Sequence, residues 1–178
     1  MTQPQRVLCS TLLLTALPSL AIDLTQLQWT VVNDTVMGGR SDSTLRLRDG
    51  VVMFSGEVSL ANNGGFASVR APYTTAAGGA KALYLTVTGD GKRYQLRLRV
   101  DQYLDGPAFV YSFQTQANQQ QTWVISEQDF TLQFRGRKVS SDYQLNFSDV
   151  RAIGFMISVK QAGPFQLGIN ELLFVEQV

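Results

Sequence analysis

The chain has 178 residues, a formal net charge of +1, 44% hydrophobic residues and no histidine. That length supports one domain with its own core. The near-neutral charge argues against a general nucleic-acid or anionic-membrane binder, and the missing histidine excludes imidazole acid–base catalysis, Ser-His-Asp and Cys-His machinery, and His-ligated zinc or iron.

Cys9 is the single cysteine, so neither an internal disulfide nor a thiolate metal cage is available. No cofactor and no metal site is expected. An enzyme built from this chain would have to work with carboxylates, Ser, Thr, Tyr, Lys or Arg alone.

Residues 1–21 read as an export signal. Arg6 precedes an apolar run from Val7 to Leu17, then Pro18 and the small-residue end Ser19-Leu20-Ala21. The run is too short to span a bilayer comfortably. Cleavage after Ala21 would leave one domain, residues 22–178, in the periplasm or secreted, with no membrane span. Loss of the only thiol suits an oxidising compartment. The alternative is a buried first element of a cytoplasmic protein.

From Trp29 onward the pattern is short strands with period-two alternation. "WTVV" is a brief β-like run. "TLRLR" and "VVMFSGEVSL" predict a hairpin closed by Asp49-Gly50, a strong two-residue turn signal. "ALYLTVTG" puts Leu83, Leu85 and Val87 on one side. "RYQLRLRV" turns Tyr94, Leu96, Leu98 and Val100 one way and Arg93, Gln95, Arg97 and Arg99 the other. The "GDG" between these two runs reads as a hairpin turn, which would set Tyr84, Thr86 and Thr88 beside the arginines. "AFVYSF" aligns Phe109, Tyr111 and Phe113. Ser126 with Asp129 resembles a capping box over a single helical turn. "AIGFMISV" aligns Ile153, Phe155, Ile157 and Val159, and "FQLGINELLFV" aligns Phe165, Leu167 and Ile169 before an apolar end. Many short strands between Gly-rich turns imply an all-β fold, an antiparallel two-sheet jelly-roll sandwich.

A composite of motifs narrows this further. "W-x3-NDTVMGGRS", "FSGEVSLANNGGFASVR", "GDGKRYQLRLR", "FRGRKV" and "GFMI...GPFQLGINEL" occur in this order from about Trp29 to Phe174. Together they resemble the CIA30 family, that of complex I intermediate-associated protein 30. The resemblance implies a galactose-binding-domain-like sandwich, similar to some carbohydrate-binding modules. It also implies a non-enzymatic assembly or accessory factor acting through protein–protein contacts. A redox role is not expected, because the chain has no G-x-G-x-x-G between strand and helix and no cluster-ligating cysteines.

No catalytic residue stands out. In "NDTVMGGRS", Asp34 would cap the turn or accept from a sugar hydroxyl, and Arg40 would grip a carboxylate or phosphate. In "NNGGFASVR", Asn62 and Asn63 offer amide groups suited to sugar hydroxyls, and Arg70 a fork of donors. Arg93 and Arg97 belong to a polar strand face of the kind that binds sugars or acidic chains, or is merely solvated. Arg135 and Arg137 form a short basic loop suited to an acidic partner. Asp90 alone does not make a Ca²⁺ site, which needs six or more oxygens. Asp34, Glu57, Asp90, Asp101 and Asp105 leave a carboxylate hydrolase open without any motif for it. The expected partner is another protein, the alternative a glycan; nucleic acid is not expected.

Overall fold

Strands whose side chains alternate between apolar and polar must bury one face, and two such sheets satisfy each other. The computed structural model describes residues 19–73, 78–101 and 103–176; the apolar run read as an export signal lies outside them. Along these residues the strands are β1 (Ser19–Ala21), β2 (Thr30–Asn33), β3 (Asp42–Arg48), β4 (Val51–Val58), β5 (Ala67–Pro72), β6 (Ala82–Thr88), β7 (Arg93–Arg99), β8 (Ala108–Gln114), β9 (Gln120–Ile125), β10 (Thr131–Phe134), β11 (Arg137–Lys138), β12 (Ala152–Ile157) and β13 (Gly163–Val175). The first sheet runs β3-β4-β13-β6-β9, with β1 paired to the end of β13. The second runs β11-β10-β8-β7-β12-β5-β2. Every ladder between strands is antiparallel. The expected all-β jelly-roll sandwich is what forms.

The core lies between the sheets. Phe54, Leu83, Leu85, Val87, Leu167 and Ile169 come from the first sheet. Val69, Tyr94, Leu96, Leu98, Ile153 and Phe155 come from the second, and all twelve have no exposed surface. Edge-on aromatic contacts lock it: Phe54 meets Phe165 at 4.8 Å and Phe147 meets Phe174 at 5.2 Å between ring centroids. The β3–β4 hairpin closes on Asp49 and Gly50, both left-handed at φ 51° and 80°. Ser126 and Asp129 form the capping box over a single 3₁₀ turn.

Three local expectations are corrected. The "GDG" turn does not close a hairpin. It carries the chain from β6 in the first sheet to β7 in the second, so Tyr84, Thr86 and Thr88 lie across the sandwich from the arginines. Alternation reports that both strands have an apolar face; it is blind to whether they share a sheet. Val159 does not continue β12. The strand stops at Ile157, and Val159 is two-thirds exposed with φ 61°. Finally, β13 carries a bulge between Ile169 and Glu171. The inward set therefore moves from Phe165, Leu167 and Ile169 to Leu172 and Phe174.

Candidate functional site

The two glycine corners close on one carboxylate. Asp34 follows β2 directly and has no exposed surface. Its Oδ1 accepts from the Ser41 backbone N–H at 2.9 Å. Its Oδ2 accepts from Ser41 Oγ at 2.5 Å, Gly65 N–H at 2.6 Å and Phe66 N–H at 3.2 Å. A Cβ at Gly39 would sit 2.3 Å from Oδ1, and one at Gly64 2.5 Å from Oδ2. The glycines are there because the backbone wraps this side chain too closely for any other residue. Burial pushes the Asp34 carboxyl up, but the bonds from Ser41, Gly65 and Phe66 outweigh it and hold the group below its ordinary value of 3.8. Asn62 donates through Nδ2 to the Gly38 carbonyl at 3.0 Å, tying the second corner to the first. Arg40, Asn62 and Asn63 are exposed around it. Asp34 thus holds the corner together, with its bonding capacity taken up inside the chain.

The second sheet presents a different arrangement on its outer face. Register sets it out in rows. Gly154 of β12 lies between Arg97 of β7 and Arg70 of β5, and Arg97 is in turn paired with Val110 of β8. One row along, Ala152 lies between Arg99 and Pro72; in the opposite direction Met156 lies between Gln95 and Ser68. Beside the arginines the floor is therefore made of Gly154, Ala152 and Val110, with the longer Met156 and Gln95 one row away. Ala108, Val110 and Ala152 are at most 3% exposed although they lie outside the inter-sheet core. They are therefore covered from the outer side of the sheet. A Cβ at Gly154 would lie 2.9 Å from the Val69 carbonyl oxygen, so glycine lets the β5 backbone approach closely, while Arg70 Cγ at 3.5 Å would be in ordinary contact.

Arg70 donates through Nη1 to the Leu104 carbonyl at 2.5 Å, joining the sheet to the loop of residues 103–107. Arg97 is 9% exposed and donates to Gln95 Oε1 at 2.8 Å. Arg99 is 2% exposed, and its Nε and Nη1 have no hydrogen-bond partner among the described residues. No carboxylate of the described residues comes within 4.0 Å of any of the three; the one such ion pair is Arg48–Asp49 on the surface. Burial first, then the like charge of Arg70, brings Arg97 down to about 10. Burial, then Arg70 and Arg97, brings Arg99 to about 10 as well, with Asp101 and Asp105 opposing from a distance.

Of the residues singled out from sequence, Arg70 and Arg97 converge here. Arg93 stands at the opposite end of β7, exposed and paired with Gln114. Arg135 and Arg137 flank the turn at the β11 edge of the sheet, exposed, with the Arg135 guanidinium 5.1 Å over the Phe134 ring. Arg99, the most deeply placed member of the cluster, was legible only as one of a row of alternating arginines. Alternation gives the face of a residue and says nothing of its depth.

The outer face of the first sheet has an open cleft of about 400 Å³ bordered by Arg48, Asp49, Asp90, Asn118, Gln166 and Asn170. Its polar groups are largely engaged with the chain. Asp90 Oδ1 accepts from Lys92 N–H and Oδ2 from Gln166 N–H, while Asn170 Oδ1 accepts from Thr88 Oγ. It makes no demand for a ligand comparable to that of the buried arginines.

Several solved structures are similar in fold. The family 11 carbohydrate-binding module of the cellulosomal cellulase Lic26A-Cel5E of Clostridium thermocellum superposes with a TM-score of 0.64 at 15% identity, over 90% of this chain and 96% of that one. The family 11 module from the same organism in complex with a β-1,3-1,4-mixed-linked tetrasaccharide gives 0.62 at 14% identity, over 92% and 99%. An agarase, AgWH50C, gives 0.57 at 11% identity, over 90% of this chain and 25% of that enzyme. No curated protein matches the sequence. The family described as Complex I intermediate-associated protein 30 (CIA30) matches residues 21–169, more than four-fifths of the chain, and the protein belongs to that family.

Proposed function

We propose that this protein is a non-enzymatic accessory or assembly factor that holds a segment of another protein on the outer face of its second sheet. Family membership supports the accessory role. The observation that carries the choice of surface is the buried floor of Ala108, Val110, Ala152 and Gly154 with Arg70, Arg97 and Arg99 beside it in register. Here charged donors lie low among side chains of little bulk, Arg97 9% and Arg99 2% exposed, which suits an extended polar chain closing over them.

The fold shared with family 11 carbohydrate-binding modules favours a second reading, a glycan ligand. Sugar rings are commonly held by stacking on aromatic side chains. On the outer face of the second sheet, β2, β5, β7, β8 and β12 present Thr30, Ser68, Gln95, Ser112, Met156 and the arginines, with no aromatic ring among these described strand positions. Tyr103 in the loop of residues 103–107 is exposed, the one aromatic ring among those residues. The protein ligand is therefore preferred.

A photo-crosslinker placed at Ser112, exposed on this face, tests the proposal against one at Thr44, exposed on the first sheet. Native extract should yield a discrete protein adduct from Ser112 and none from Thr44. No adduct from Ser112, together with selective hits on a glycan array, would replace this reading with the second.

A further inference from the structure

Three cationic side chains meet on the second sheet, two of them nine-tenths or more buried, and among the described residues none has an acid within 4.0 Å. Surface arginines lose little by standing alone, since water solvates them. A buried guanidinium is different: taken out of water, it needs its donors filled or a counter-charge beside it. Among the described residues Arg97 has one partner, Gln95 Oε1, which carries no charge. Arg99 has two donor nitrogens, Nε and Nη1, without any partner among the described residues. Both are unfilled donors of one buried guanidinium, the charged donor that a carboxylate satisfies best.

The surroundings sharpen the chemistry. Asp101 and Asp105 influence Arg99 electrostatically, yet neither closes on it. Asp101 Oδ1 is engaged by the Tyr103 backbone N–H at 3.0 Å. Gln95, Arg97 and Arg99 follow one another at every second position of β7, so they present a line of donors about 7 Å apart per step. That spacing matches alternate side chains of an extended peptide laid along the strand. A neutral sugar would leave the charges uncompensated.

We infer that Arg97 and Arg99, with Arg70 beside them, form a carboxylate-binding pocket that receives an acidic side chain of an extended peptide segment from the partner protein. The pocket rests on the proposed protein-binding function for the identity of its ligand, though its anion chemistry stands on the arginines alone.

The test uses the purified full chain with two probes, a hexaglutamate peptide and a galacturonate oligosaccharide, and reads both the Arg Nε–Hε NMR signals and the thermal midpoint. Hexaglutamate should shift the Arg97 and Arg99 Nε signals saturably and raise the midpoint. Arg99→Gln should weaken hexaglutamate binding about tenfold or more, the scale of one charge-assisted contact. Its ligand-free midpoint should stay level or rise, because a buried unpaired charge has gone. Arg99→Lys, which keeps the charge and loses the fork, should recover only part of the affinity.

Absence of any saturable shift with hexaglutamate overturns the pocket. So does unchanged affinity in Arg99→Gln, including the case where that variant merely loses stability. Binding of the galacturonate with none of the peptide overturns the peptide assignment. The two proposals fail separately. A partner adduct at Ser112 that forms equally well in Arg99→Gln keeps the protein-binding function and removes the pocket. Hexaglutamate binding through Arg99 without any protein adduct keeps the anion chemistry and removes that function.

Discussion

Asp34 and Arg99 are both charged side chains withdrawn from water, and the fold treats them in opposite ways. Asp34 receives four hydrogen bonds from Ser41, Gly65 and Phe66, and two glycines are placed so that the backbone can reach it. Arg99 has two donors with nothing to bond among the described residues, and its near neighbours Arg70 and Arg97 carry the same sign. A buried charge whose bonds are supplied by its own chain is part of the architecture. A buried charge left open is held in readiness for something outside the chain, and the stability it sacrifices is recovered on binding.

The largest test of that contrast is Asp34→Ala. It strips the acceptor from two buried N–H groups, one half-buried N–H group and a hydroxyl, and should cost about 3–5 kcal/mol of folding stability, read as a lower urea midpoint. A loss under about 1 kcal/mol would mean that the corner is not the staple its geometry describes. Arg99→Met comes next and should move the other way. Replacing an uncompensated buried guanidinium with an apolar side chain should stabilise the ligand-free protein by about 1–2 kcal/mol in the same urea titration. If both substitutions destabilise to a similar degree, the two sites are equivalent and the comparison fails.

Acid separates them further. The Asp34 carboxyl is lowered in the folded state, so its contribution to stability is complete above its ordinary value of 3.8 and is lost as pH falls through the lowered folded value. Urea midpoints measured down through that window should drop in the native chain, and the part due to this group should vanish in Asp34→Asn. Arg97 and Arg99 remain charged throughout that range, so Arg99→Met should leave the acid limb unaltered. The smallest effects belong to Arg40 and Arg137. Both are exposed, and alanine at either should change stability by no more than about 0.5 kcal/mol. A larger change at Arg40 would show that the corner depends on more than Asp34.

Much of the architecture was legible from residue order. Period-two alternation marked β7, β8 and β12, and Asp49-Gly50 identified the β3–β4 turn. The composite of motifs around the glycine pairs pointed to the family. What the pattern concealed is instructive. The bulge in β13 exchanged inward and outward positions within one strand, which strict alternation cannot express. The step from β6 to β7 crossed between sheets because inward-facing positions look the same wherever a strand is placed. Asp34 and Arg40 are near neighbours in sequence, yet one is sealed and the other exposed.

The order of residues alone therefore determined that this chain is a layered β-sandwich without histidine chemistry, since composition and local periodicity are properties of the chain itself. Tertiary structure decided which charges are answered. Arg70, Arg97 and Gly154 come from three strands far apart in sequence, and only sheet register brings them into one row. Burial and hydrogen-bond satisfaction are sums over neighbours from the whole fold, so no stretch of sequence, read by itself, carries them.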